Sequence, residues 1–267
     1  MISKARIRQI RGLERKKNRL EEGLFVAEGP KLVGELLGAE AHDDNNASAN
    51  FRMAPRYVAA TEEWMAQHES LLRRVETDTV TTDELQRISL LQHPQDVVAL
   101  FAIPHYEGRM ADIARQELTL ALDGVQDPGN LGTIVRLADW FGIRPVFCSP
   151  DCADVFNPKA TQATMGALAR VALHYTDLTE AIRETDVSVY GTFLDGADIY
   201  QEKLSSNGVI VMGNEGRGIS KAVAELVSHR LFIPPYPPER QTVESLNVAI
   251  ATAIVCAEFR RPNPGAR

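Results

Sequence analysis

Leu118-Thr-Leu-Ala-Leu122-Asp-Gly-Val-Gln-Asp-Pro-Gly-Asn-Leu-Gly-Thr-Ile-Val-Arg-Leu-Ala-Asp-Trp-Phe141 passes from a short apolar run, through a Gly/Pro/Asn-rich loop, into a helical period. The apolar run is of strand length, and Ile134, Leu137, Ala138 and Phe141 recur at i, i+3, i+4 and i+7, the stripe of a helix that buries one face. Asn130 reads as the N-cap and Gly142 as the stop. Arg136 falls on the other face, with Thr133 and Trp140. It is either a solvated arginine three residues before Asp139 or a functional one.

The same strand-loop-helix unit repeats toward the carboxyl terminus. Pro145–Cys148, Val187–Tyr190, Val209–Met212 and Leu231–Ile233 are short apolar runs. Between them lie helical periods: one opening at Asn157-Pro158, then Leu178–Glu184, Ser220–Val227 and finally Ser245–Arg260. Alternation of this kind predicts an α/β fold, a mostly parallel sheet with helices on both faces. Ligands of such sheets sit at the carboxyl ends of strands, so the loops that follow strands are where chemistry is expected.

Two further loops have unusual content. Met212-Gly-Asn-Glu-Gly-Arg-Gly-Ile-Ser220 places glycines as G-x-x-G-x-G, which matches neither the phosphate-binding loop ending in Gly-Lys-Ser/Thr nor the dinucleotide fingerprint G-x-G-x-x-G. It is a plain strand-to-helix turn or a close-approach loop, and Glu215 in its middle would repel a phosphate. The third loop, Ile233-Pro-Pro-Tyr-Pro-Pro-Glu-Arg-Gln-Thr-Val-Glu-Ser-Leu-Asn-Val248, leads into an almost wholly apolar helix. Ser245 is placed to cap that helix and Asn247 to lie in its first turn. The proline run could also serve as a polyproline ligand, although Pro234 follows a strand directly.

Ahead of these elements the chain reads as a smaller mixed α/β region. It has a basic helical opening, an apolar helical stretch at Lys31–Leu37, a polar surface loop at residues 40–50, and strands at Arg56–Ala60 and Val97–Ile103. The expected division is a first domain at residues 1–104, a linker at 105–116 and a second domain at 117–267. Charge is uneven across that division. Lys4, Arg6, Arg8, Arg11, Arg15, Lys16, Lys17 and Arg19 against Glu14 alone give residues 1–20 a net +7, in a chain whose formal charge is −7, so the remainder carries −14. The total therefore does not exclude a nucleic-acid partner; a basic head precedes an acidic body.

Other classes fall away. The longest apolar runs, Val97–Ile103 and Val248–Ala257, are well short of the roughly 20 residues needed to span a bilayer, and the amino terminus has no signal-peptide pattern. Cys148, Cys152 and Cys256 make an odd number, without the ligands to complete a zinc site, and the histidines are scattered singly. A reduced, cytoplasmic protein with neither metal nor membrane association is expected.

Taken in order, Asn130-Leu-Gly-Thr-Ile-Val-Arg136, Gly213-Asn-Glu-Gly-Arg-Gly218, and Ile233-Pro234 with Ser245-Leu-Asn-Val248 resemble the three motifs of the SpoU (TrmH-type) family of RNA ribose 2′-O-methyltransferases, in the SPOUT superfamily. Arg11-Gly-Leu-Glu-Arg-Lys-Lys-Asn and Phe25-Val-Ala-Glu-Gly-Pro-Lys31 are similar more loosely to the ribosomal-protein-like substrate-binding domain ahead of many members. The resemblance implies a deep trefoil knot at the carboxyl terminus, S-adenosylmethionine as cofactor, a homodimer, and structured RNA as substrate: ribosomal RNA first, transfer RNA second. A non-catalytic RNA-binding or ribosome-assembly protein of the same fold is the alternative. Carried over by position, Arg136 is placed at the 2′-hydroxyl, oriented by Asn130, Glu215, Ser245 and Asn247. Thr192, Leu194, Gly213, Ile233 and Leu246 line the cofactor pocket. Guanidinium stays protonated up to a pKa of about 12 or more, so Arg136 polarises the hydroxyl or an adjacent phosphate and acts as a base only if strongly desolvated. RNA affinity is expected from Arg6, Arg8, Arg11, Arg15, Lys16, Lys17 and Arg19, and around Arg136. The sequence departs from the family pattern in the long, proline-rich stretch before Ser245, in Ala249 where a second serine is common, and in the insertion at His42–Asn50.

Overall fold

A computed structural model describes residues 2–41, 53–237 and 245–261. The insertion at His42–Asn50 and Arg240 in the proline-rich loop lie outside the described residues. The chain forms two compact units, one of residues 1–106 with 154–170, the other of 107–153 with 171–267.

The first unit contains α1 (Lys4–Gly12), α2 (Lys16–Glu22), β1 (Leu24–Glu28), α3 (Pro30–Ala41), β2 (Pro55–Ala60), α4 (Glu62–Gln67), α5 (Glu69–Leu72), β3 (Glu76–Thr79), α6 (Thr82–Ile88) and β4 (Val97–Ala102). The second contains α7 (Met110–Ala114), β5 (Leu118–Leu122), α8 (Pro128–Trp140) and β6 (Pro145–Cys148). The chain then contributes α9 (Pro158–Ala163) to the first unit. It returns to the second for β7 (Ala172–Tyr175), α10 (Leu178–Arg183), β8 (Val189–Asp198), β9 (Gly208–Met212), α11 (Lys221–Ala224), β10 (His229–Phe232) and α12 (Val248–Phe259).

The smaller sheet has the order β1-β4-β2-β3, with β4 antiparallel to both of its neighbours and β3 parallel to β2. Ile10, Leu13, Val26, Tyr57, Ile88 and Leu100 form a buried cluster on it, and each such aliphatic side chain contributes about 1.5–3 kcal/mol by leaving water. β3 was not legible in the sequence, because Glu76-Thr-Asp-Thr79 is a polar edge strand without apolar alternation. α3 reaches Ala41, so the polar tract begins as helix rather than as loop.

Burial divides the basic head. Arg19 is only 2% exposed. Its Nη1 donates to Leu13 O and Glu14 O, both at 2.7 Å, and its Nη2 to Asp154 Oδ2 at 2.6 Å. It therefore fastens the α1–α2 turn to the segment that leads into α9, and is not available to RNA, contrary to the expectation for this residue. The five donors of a guanidinium suit such a joint, where backbone carbonyls and a carboxylate must be satisfied together. Arg6 lies over the Tyr57 ring, 4.2 Å from its centroid, and pairs with Glu76. Arg11 donates to Arg87 O and Ser89 O. Arg8, Arg15, Lys16 and Lys17 are exposed.

The larger sheet has the order β10-β8-β9-β5-β6-β7, and every described pairing in it is parallel. On one face α7, α10 and α11 bury Met110, Ala114, Leu178, Ile182 and Val223 against Ala121, Phe147, Val209 and Val211. Strand alternation turns Leu120, Leu122, Val146 and Ile210 to the other face, on the side where α8 packs against α12. Two expectations are corrected. The stretch 105–116 contains α7, whose Met110, Ala111 and Ala114 are buried in the second unit, so it is more than a linker. Residues 154–170 group with the first unit, because α9 packs on β1, with Phe156 tilted against Phe25 at 4.9 Å.

Among the described residues no helix is long and apolar enough to cross a membrane, and no group of His, Cys, Asp and Glu is arranged to hold a metal.

Candidate active site

All three motif loops lie at the carboxyl ends of the parallel strands, after β5, β9 and β10. The first opens with Gly124 at φ 73, a left-handed backbone; a side chain there would also meet Asp151 Oδ2 at 3.2 Å. Cys152, a free and buried thiol, donates to Leu122 O at 3.1 Å and accepts Val125 N at 3.3 Å beneath this loop. A hydrogen bond with Cys148 is the main cause that lowers the Cys152 thiol to about 7.

The cap of α8 is Asp127, not Asn130. The Asp127 side chain accepts Asn130 N at 2.8 Å, with Pro128 in the first turn, where its fixed φ and missing N–H are tolerated. Likewise Asn247, not Ser245, caps α12 by accepting Ala249 N at 3.0 Å and Ile250 N at 3.3 Å. These corrections matter to the site. With capping done one turn earlier, the Asn130 side chain is free to reach across to the other loops.

It does so in both directions. Asn130 Nδ2 donates to Glu215 Oε1 at 3.0 Å, and Asn130 Oδ1 accepts from Asn247 Nδ2 at 3.0 Å. One residue from each motif thus joins a continuous relay, Asn247 to Asn130 to Glu215. Glu215 is half-buried and retains acceptor capacity for an incoming N–H or O–H. Arg136 projects from the exposed side of α8, with no ion pair or hydrogen bond to another side chain among the described residues. It lacks there the burial that strong desolvation of its guanidinium would require. Ser245 is exposed just ahead of the α12 cap and is not part of the relay.

The expected cofactor residues lie after β9 and β10 and within β8, beyond its pairing with β9. Gly213 follows β9, Ile233 follows β10, and Thr192 follows Gly191, where the pairing of β8 with β9 ends. A Cβ on Gly213 would lie 2.3 Å from both Gly218 C and Ile219 N, so only glycine lets this loop close on itself. Leu194 is 73% and Leu246 45% exposed.

The profile of the SpoU rRNA Methylase family matches residues 117–257, and that of an MRM3-like substrate binding domain matches residues 4–99. The chain belongs to the SpoU rRNA methylase family. It is 28% identical to the 23S rRNA (guanosine(2553)-2′-O)-methyltransferase RlmP of Bacillus subtilis (strain 168), over 96% of each chain. A solved structure from Porphyromonas gingivalis, described as of the TrmH family of RNA methyltransferases, is 41% identical with a TM-score of 0.81, covering 98% of this chain and 99% of that one. An AdoMet-bound rRNA methyltransferase from Sinorhizobium meliloti is 28% identical, also at 0.81, covering 98% of this chain and 96% of its own.

Proposed function

We propose that this chain transfers the methyl group of S-adenosylmethionine to a ribose 2′-hydroxyl of ribosomal RNA. The observation that carries the reading is the relay Asn247–Asn130–Glu215, one residue from each motif loop, at the carboxyl edge of a parallel sheet. When bound, the cofactor supplies a methyl group on a positively charged sulfur. The site fits such a group: Gly213 and Ile233 offer main-chain atoms directly after β9 and β10, Thr192 lies in β8 just past its pairing with β9, and the exposed Leu194 and Leu246 offer apolar surface. The protein's own contribution is alignment. Glu215 and Asn130 hold the ribose, Ser245 supplies a further donor, and Arg136 polarises the hydroxyl or steadies the adjacent phosphate. The carboxyl-terminal knot belongs to the same reading. It is supported by the return of the chain from edge strand β10 to α12, which packs on α8. Incubating the protein with ribosomal RNA and labelled cofactor, then mapping 2′-O-methyl groups by mass spectrometry, is expected to locate the label on ribose. Transfer only to transfer RNA would move the substrate. Absence of cofactor binding in calorimetry would leave an RNA-binding protein.

The amino-terminal unit is read as the RNA grip. Reversing Arg8, Arg15, Lys16 and Lys17 to glutamate is expected to weaken RNA binding and to flatten its salt dependence by about one slope unit for each phosphate that is no longer neutralised. An unchanged slope would place the grip elsewhere. A homodimer in the cytoplasm completes the proposal. Trp140, 84% exposed, and Ile250, 54% exposed, lie on α8 and α12 as uncovered apolar side chains that suit a subunit contact. Sedimentation of a Trp140→Glu/Ile250→Glu double variant is expected to give a monomer; a mass unchanged from the parent would exclude this face.

A further inference from the structure

The glycine-rich loop after β9 is tied at both ends to the loop after β5. At its start, Asn214 Nδ2 donates to Gly124 O at 2.7 Å; at its end, Ser220 N donates to Asp123 Oδ2 at 2.7 Å. Within the loop, Asn214 Oδ1 accepts Gly216 N at 2.9 Å and Arg217 N at 3.0 Å, while the Asn214 backbone pairs in both directions with Gly218 at 2.9 Å. Asp123 and Gly124 also gather the neighbouring strand ends. Asp123 N donates to Met212 O at 2.8 Å, and Gly124 N to Ser149 Oγ at 2.8 Å. The loops after β5, β6 and β9 therefore converge on these two residues.

We infer that Asn214 and Asp123 are positioning residues of the methyl-transfer site: they set Glu215 against Asn130 without touching the reacting groups. The inference rests on the reading that Glu215 and Asn130 handle the ribose. Its physical basis is entropic. Glu215 directly follows Asn214 in a loop with glycines at 213, 216 and 218, whose backbone has wide freedom unless side chains restrain it. Asn214 needs both halves of its amide, the donor toward the first loop and the acceptor within its own. An aspartate could perform only the second task and would set a carboxylate against the Gly124 carbonyl. The Asp123 side chain acts only as an acceptor, so asparagine can replace it.

Asn214→Asp is expected to lower kcat by about ten- to a hundredfold, the effect of a misplacement near 1 Å, while KM for S-adenosylmethionine and the thermal midpoint stay close to those of the parent. Asp123→Ala should fall in the same direction, and Asp123→Asn should recover most of the rate that Asp123→Ala loses. A parental kcat for Asn214→Asp, or a loss confined to KM for the cofactor, would overturn the inference. Glu215→Ala, measured alongside, separates the two levels. If it is slow while Asn214→Asp is fast, the positioning role alone fails; if it is as fast as the parent, the ribose-handling reading fails and takes the inference with it. Should Asn214→Asp not fold, the Asp123 pair decides, because equal rates for its alanine and asparagine variants would refute the tie.

Discussion

Arg136→Ala is expected to slow methyl transfer by about a hundred- to a thousandfold, the loss that follows removal of one well-aimed donor from a reacting centre. The fold should not change. Arg136 is exposed on α8, has no described ion pair to lose, and alanine is the better helix former. Cofactor affinity measured by calorimetry should also hold, since the expected cofactor residues in β8 and after β9 and β10 are untouched. Arg136→Lys keeps the charge but not the planar fork, so it should recover only part of the rate if the side chain grips a phosphate through two hydrogen bonds. Single-turnover rates of Arg136→Ala within a few-fold of the parent would remove this residue from the mechanism.

The second large effect is on stability. Arg19→Ala is expected to cost about 3–5 kcal/mol in urea unfolding, the cost of breaking a buried ion pair by removing one partner. Three acceptor groups lose their donors together: Leu13 O, Glu14 O and the Asp154 carboxylate. The loss should persist at high salt, unlike that of a surface pair such as Lys17–Glu21, because an interior pair is little screened. A double-variant cycle with Asp154→Ala should show strong coupling between the two positions. A cost below about 1 kcal/mol would mean that the joint is incidental. The same variant tests the division of the basic head, since any RNA-binding defect should then follow unfolding and disappear under conditions where the variant is folded.

That division shows where sequence reading reached its limit. Net charge and spacing revealed a basic opening, but Arg19 and Lys16 look alike as letters. Only the packing of α2 and the segment before α9 buries one and exposes the other. Capping gave the same kind of result. Asn130 and Ser245 are good cap residues by type, yet Asp127 and Asn247 take the caps, because a cap depends on which side chain meets the first free N–H groups in space. The signal for Asp127 was present in Asp-Pro, a residue able to cap directly before a proline at the first helical position.

The amino-acid sequence alone determined the alternation of strands and helices, the parallel sheet that alternation implies, and the three loops after its strands. Each of these follows from periodicity and composition within a few residues. The tertiary structure alone decided that Asn130, Glu215 and Asn247 meet, that Asn214 and Asp123 tie the loops beneath them, and that residues 154–170 join the first unit. Those pairings link residues 85 to 135 positions apart. No local preference can encode such a pairing; it arises only when tertiary packing brings distant segments together.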